Sequence, residues 1–170
     1  MGMIGNYCKI TKEQFDLLKQ GDVAVSDFLY GDNDVLADDL LDIDKAWDCI
    51  HFVLTGEGMA TMADSKLEGS PAFNVVMGGK EISAEDIGYG SARYLTPAEV
   101  IACNDAMKDI TEHEFTSRYT AEDLLAHQIY PLYDTVDEAF ISYSYQHFNA
   151  LQTFFGQAVK EAKYMLLYIN

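Results

Sequence analysis

Four histidines, three cysteines and two arginines are the side chains best suited to chemistry in this 170-residue chain, and their spacing argues against most of it. His51, His113, His127 and His147 are far apart, with no HExxH or HxH pair that could bring two imidazoles to one metal. Glu112 and Glu114 flank His113, but adjacent residues do not share a helical face. Cys8, Cys49 and Cys103 lack the His/Asn surroundings of a nucleophilic thiol, and Cys49, set among apolar residues, reads as packed and inert. Gly88-Tyr89-Gly90-Ser91 does not fit the G-x-S-x-G turn of a serine nucleophile. Gly78-Gly79-Lys80 lacks the earlier glycine and the following Ser/Thr of a phosphate-binding P-loop, and reads instead as a hairpin turn. No catalytic residue, no metal site and no cofactor is expected.

Two positive candidates remain. The first is a cleft. Trp47 and His51 lie one helical turn apart, and the loop Gly88-Tyr89-Gly90-Ser91-Ala92-Arg93-Tyr94 combines two glycines with one of the chain's two arginines. Glycine lets backbone approach a ligand closely, and a guanidinium can hold a carboxylate or phosphate with two parallel hydrogen bonds. If Trp47, His51, Tyr89, Arg93 and Tyr94 converge, they make an aromatic wall with a few polar groups, as small-ligand pockets do. The competing expectation is packing: a core-edge imidazole bonded to a carbonyl, and a tight loop with a structural Arg–acid pair.

The second candidate is a face. Asp32, Asp34, Asp38, Asp39, Asp42, Asp44 and Asp48 place seven acids in seventeen residues, opposed only by Lys45. The spacing fails the calcium loop of an EF-hand, because Leu36 stands at its fifth position and the glycine and final glutamate are missing. Asp32, Asp34, Asp38, Asp39 and Asp42 are therefore either a solvated face or a recognition surface for a basic protein partner.

Charge supports the second option and excludes others. Twenty-eight acids against eleven bases leave a formal charge of −17, which nucleic-acid backbones and anionic membranes repel. No apolar run approaches the ~18 residues that span a bilayer. Met1 to Ile10 has no charged start, apolar run or cleavage-like end. Together with three cysteines at irregular spacing, this points to a reducing, cytoplasmic setting.

The elements that would position these residues follow from local chemistry. Met3 to Lys9 reads as an opening strand, and Thr11 as the N-cap of a helix to Lys19, ended at Gly21-Asp22. Asp44 reads as the cap of a helix to about Leu54, with Trp47, Ile50, His51 and Leu54 on one face and Gly56 as terminator. Phe73 to Met77 looks like a strand that turns at Gly78-Gly79 into Lys80-Glu81-Ile82. Ala92 to Leu95 is a short strand, and Thr96-Pro97-Ala98-Glu99 is a capping box with proline at N1, opening a helix to about Asp109. Thr111 and Thr120 read as caps of two short helices. A long helix from about Val136 to Glu161 and a closing strand, Tyr164 to Ile169, complete the chain. The predicted class is α+β: a single domain with a small mixed or antiparallel sheet packed against several helices, among them a long C-terminal helix followed by a final strand.

Two blocks carry a family resemblance. Leu41-Asp42-Ile43-Asp44-Lys45-Ala46-Trp47-Asp48-Cys49-Ile50-His51-Phe52-Val53-Leu54-Thr55-Gly56 resembles the L-D-x-D-K-x-W-x-x-x-H-x-x-L-T-G signature of the YfbM-like family, domain of unknown function 1877. Gly88 to Val100 is similar to that family's G-Y-G-x-A-R-Y-L-T-P-x-E-V block. The opening Met3-Ile4-Gly5-Asn6-Tyr7 and the closing helix and strand also fit, so the resemblance covers essentially the whole chain. It implies a bacterial, one-domain α+β protein and lends no established activity. It marks Asp44, Lys45, Trp47, His51, Gly88, Tyr89, Gly90, Arg93 and Tyr94 as positions matching the pattern. The expected function is non-enzymatic binding or interaction, in one concrete form an immunity-type inhibitor that covers a basic toxin. The alternative is a small-molecule binder or enzyme using a His51/Arg93 cleft.

Overall fold

The closing strand holds the molecule together. In a computed structural model, which describes residues 2–31, 37–135 and 138–170, β1 (Gly5–Ile10) and β5 (Tyr164–Ile169) pair along their full lengths, Gly5 opposite Ile169 and Ile10 opposite Tyr164. β2 (Leu40–Asp42) adds to the outer edge of β1, while β4 (Ser91–Leu95) and β3 (Lys80–Asp86) extend the other side. The result is a five-stranded antiparallel sheet in the order β2-β1-β5-β4-β3. The closing strand thus pairs with both the opening strand and the hairpin.

Side-chain alternation divides the apolar residues of this sheet between two layers. Cys8, Ile10, Ala92, Leu166 and Tyr168 face α1 (Lys12–Gln20) and α2 (Val25–Tyr30), where Leu18, Val25 and Phe28 are buried. Tyr7, Leu95, Met165 and Leu167 face the larger layer. That layer holds α3 (Trp47–Thr55), α4 (Pro71–Asn74), α5 (Pro97–Met107), α6 (Glu112–Ser117), α7 (Ala121–Ala126) and α8 (Glu138–Lys160). No helix among the described residues is long and apolar enough to cross a membrane.

The caps behave as their chemistry requires. Thr11, Thr96 and Thr120 each complete a capping box, Thr111 caps α6, and Pro97 occupies the first turn of α5. Gly21 and Gly56 end α1 and α3 in the left-handed conformation.

Four expectations need correction. Phe73 to Met77 is not a strand: Ser70 accepts a hydrogen bond from the Phe73 N–H and starts α4, with Pro71 in its first turn. The β-branched pair Val75-Val76 misled because both side chains are fully buried in the larger core, which either backbone state could have supplied. Gly78-Gly79 is consequently a helix-to-strand connection, and the β3–β4 hairpin turns at Ile87 to Gly90. Asp44 is not an N-cap: its φ of 46° is left-handed, its carboxylate accepts from the Tyr143 hydroxyl at 2.8 Å, and a 3₁₀ turn intervenes before α3 begins at Trp47. The α3 residues Trp47 to Val53 are all buried, so the helix has no solvent face over that stretch, in contrast to the one-faced pattern expected. The expected start of the long helix, Val136, lies outside the described residues.

Candidate functional site

α3 runs through the core, so its polar side chains must find partners there or go without. His51 goes without. Its exposure is 0%, and neither ring nitrogen has a hydrogen-bond partner among the described residues. Burial, reinforced by the positive charge of Arg93, pushes its pKa down to about 4. The imidazole is therefore neutral near pH 7 and presents one N–H donor and one acceptor, both idle. A buried polar group left in this state costs about 1–3 kcal/mol.

Arg93 lies on β4, facing the same layer. Its Nη1 donates to the Met77 carbonyl, and its Nη2 lies 4.0 Å from the Met77 sulfur. No carboxylate of a described residue lies within ion-pair distance of it, although the chain carries 28 acids. Burial lowers the pKa of its guanidinium, against the opposing pull of Tyr7 and Glu81. An arginine nonetheless stays charged in such a setting. The Tyr7 hydroxyl is committed to the Val75 carbonyl at 2.8 Å, so it offers Arg93 no formal countercharge.

A cavity of about 170 Å³ opens on the outer side of this pair. Phe73 and Met77 line it. His51 meets the Phe73 ring edge-on at 5.0 Å and Arg93 donates to the Met77 carbonyl, so each touches a lining residue without itself being among the described residues that line the cavity. Lys80 and Glu99 stand at the cavity's polar side, where Glu99 is held by the Thr96 N–H and hydroxyl. The chain can fold tightly here only because of Gly78. A Cβ at that position would lie 2.1 Å from the Asn74 Cα, and backbone cannot yield as a flexible side chain would.

The other expected site residues lie elsewhere. Tyr94 follows Arg93 on β4 and so points to the opposite face, packed at 4.8 Å against Phe15 with Lys19 over its ring. Tyr89 is 56% exposed in the hairpin loop, beside Gly2, Ile4 and Asn170. Trp47 stacks on Tyr130 at 5.8 Å and donates its indole N–H to the Met3 carbonyl. Of the five cleft residues, His51 and Arg93 are the linked pair, the guanidinium charge helping to lower the imidazole pKa.

The acidic face is divided as well. Asp32 and Asp34 lie outside the described residues. Asp39 is 3.5 Å from the buried ammonium of Lys9, Asp42 accepts the Asp44 N–H, and Asp38 is exposed. No group of three His, Cys, Asp or Glu side chains among the described residues could hold a metal ion. Cys8, Cys49 and Cys103 are free and buried, and burial pushes each thiol up to about 12, far from a reactive thiolate.

Sequence reasoning counted Asp48 only as one more acid of the face. It is wholly buried: Oδ1 accepts the Met59 N–H at 2.7 Å and Oδ2 the Tyr130 N–H at 2.8 Å. Desolvation raises its pKa to about 6 despite these bonds. The available signal was an acid flanked by Trp47, Cys49 and Ile50 inside a helix, where only a paired carboxylate is tolerated.

The chain is 31% identical over 132 residues to Protein YfbM of Escherichia coli (strain K12), covering 77% of this chain and 74% of that one. Its fold matches the crystal structure of a protein of unknown function, YfbM from Escherichia coli, with a TM-score of 0.73. That match has 23% identity and covers 98% of this chain and 99% of the other. The family model for a domain of unknown function, DUF1877, matches residues 1–168, and the chain belongs to that family.

Proposed function

We propose that this protein binds, without chemical transformation, a small ligand carrying a carboxylate or phosphate, held by Arg93 and His51. The observation behind this reading is the fully buried His51 ring, idle at both nitrogens, beside a guanidinium with no carboxylate within ion-pair distance among the described residues. No described acid forms an ion pair with this inward-facing arginine, so a ligand can supply the anion. The Arg93 fork would take two oxygens and the neutral imidazole would donate to a third acceptor. Met77 is unbranched and adaptable, and it is the side chain that would move aside to admit the ligand. An imidazole with a pKa near 4 is a poor proton acceptor at neutral pH, which favours binding over general-base catalysis.

The test is thermal unfolding with inorganic phosphate, sulfate and two- to four-carbon carboxylates, at constant ionic strength. A ligand at a hundred times its Kd stabilises by about 2.7 kcal/mol, or roughly 5–10 °C at this chain length. Arg93→Ala should fold and lose the shift, and Arg93→Lys should keep only part of it because it lacks the planar fork. An equal shift in folded Arg93→Ala, or no shift with any of these anions, contradicts the proposal.

A second reading keeps the acidic face as a surface for a basic protein partner. It is favoured by the exposure of Asp38 and Asp42 on a protein of formal charge −17. Electrostatic complementarity of this kind would chiefly speed association. A basic partner that co-purifies and is released at high salt supports this reading, and an immunity-type inhibitor would be one case of it.

A further inference from the structure

A second cavity, of about 430 Å³, lies beside the N-terminal end of α3, and its walls are tied to that helix. Met59 and Tyr130 both line it, and both have their backbone N–H groups tied to the buried carboxylate of Asp48. The Tyr130 hydroxyl accepts the Met3 N–H at 2.8 Å, the Met3 carbonyl accepts the Trp47 indole at 3.1 Å, and the Tyr130 ring stacks on Trp47. Gln128, also in the lining, is held at a φ of 54°, which is strained for a residue with a Cβ. Strain that surrounding structure maintains is found where a site is pre-shaped.

The lining chemistry is specific. It offers the ring of Tyr130, the ring of Tyr133 and the thioethers of Met3 and Met59, while the charged side chain among the described lining residues is the Asp134 carboxylate. Tyr133 is 84% exposed, a large aromatic held in water at the mouth of the cavity. Electron-rich ring faces, soft sulfur and the Asp134 carboxylate together attract a cation that also carries apolar groups. The chain's charge of −17 raises the local concentration of any such cation. The volume suits a small organic molecule.

We infer that this cavity is a binding site for a small alkylated ammonium ion, separate from the Arg93–His51 site. Choline and its uncharged isostere 3,3-dimethylbutan-1-ol are suitable probes, with sodium chloride as the ionic control. The chain's single tryptophan stacks on the cavity wall through Tyr130, so its fluorescence reports occupancy. Choline should give a saturable change with a Kd at least tenfold below that of the alcohol. Tyr133→Ala and Asp134→Asn, both at exposed positions, should fold normally and each weaken choline binding by about fivefold or more. Arg93→Ala should leave it unchanged, so failure here is separable from failure of the anion site. No saturable response, equal affinity for the alcohol, or full affinity in both cavity variants would overturn the inference.

Discussion

Replacing His51 by leucine is expected to stabilise the ligand-free protein, by about 1–2 kcal/mol near pH 7. The imidazole is wholly buried and neither nitrogen is bonded among the described residues, so its polar atoms lose water and gain nothing. Leucine matches it in bulk, offers no idle donor, and would keep the edge contact with Phe73 that now lies at 5.0 Å between centroids. The gain should grow in acid. His51 has its pKa depressed from 6.5 to about 4 in the folded state. Between those values the unfolded chain takes up a proton that the folded one refuses, so the stability that His51 contributes to the wild type falls with pH. The loss is on the order of 3 kcal/mol by pH 4, and the leucine variant escapes it. Urea denaturation at pH 7.5 and pH 4.5 measures both effects. A variant less stable than the wild type by more than 1 kcal/mol would show that the ring earns its place by bonding within the fold. Stabilisation accompanied by loss of anion binding is the signature of a residue retained for a ligand.

Asp48→Ala should have the opposite sign, costing about 3 kcal/mol or more at pH 4.5. The change removes the acceptor of two backbone N–H groups, those of Met59 and Tyr130, in partly buried bonds, and opens space beside the wholly buried side chain. Asparagine should rescue little, since its amide NH₂ would face one of those N–H groups. The pH dependence is again diagnostic. Asp48 is raised from 3.8 to about 6, so the folded state holds a proton that the unfolded chain has released. Wild-type stability from this group is therefore complete below pH 3.8 and falls as pH rises through 6, by on the order of 3 kcal/mol. The alanine variant lacks that decline, and its deficit should shrink between pH 4.5 and 7.5. A deficit that instead grows with pH, or stays below 1 kcal/mol, contradicts the assignment. His51 and Asp48 push in opposite directions between pH 4 and 6, so the wild type should be flatter there than either variant.

These two residues also show where the sequence was legible and where it was not. Local signals were read well. The caps at Thr11, Thr96, Thr111 and Thr120, with the full box read at Thr96, and the terminating Gly56 each depend on neighbours a few positions away. The irregular succession of strands and helices carried the fold class, and the family blocks agreed with it. Errors came where burial replaced local preference. Val75-Val76 are β-formers set in a helical turn by the Ser70 cap and the core around them. Asp44 was expected to cap because it precedes an apolar run, but its bond to Tyr143 spans 99 positions. The site was half visible. Alternation along a strand alone separates Arg93 from Tyr94, and only the sheet's layers show that it is Arg93 that faces the larger layer. That Asp48 holds two loops, and that His51 holds nothing, depends on residues far away in the chain.

The most direct measurement is the ¹⁵N spectrum of the His51 ring while inorganic phosphate, or whichever anion stabilises the fold most, is titrated in at pH 7. The account predicts a neutral imidazole without strong hydrogen bonds in the free protein. One ring nitrogen should then shift to a hydrogen-bonded value as the anion saturates, and the shift should be absent in Arg93→Ala. Ring nitrogens that stay unchanged under saturating anion, or that are already hydrogen-bonded without it, would contradict the claim that Arg93 and His51 form the binding site.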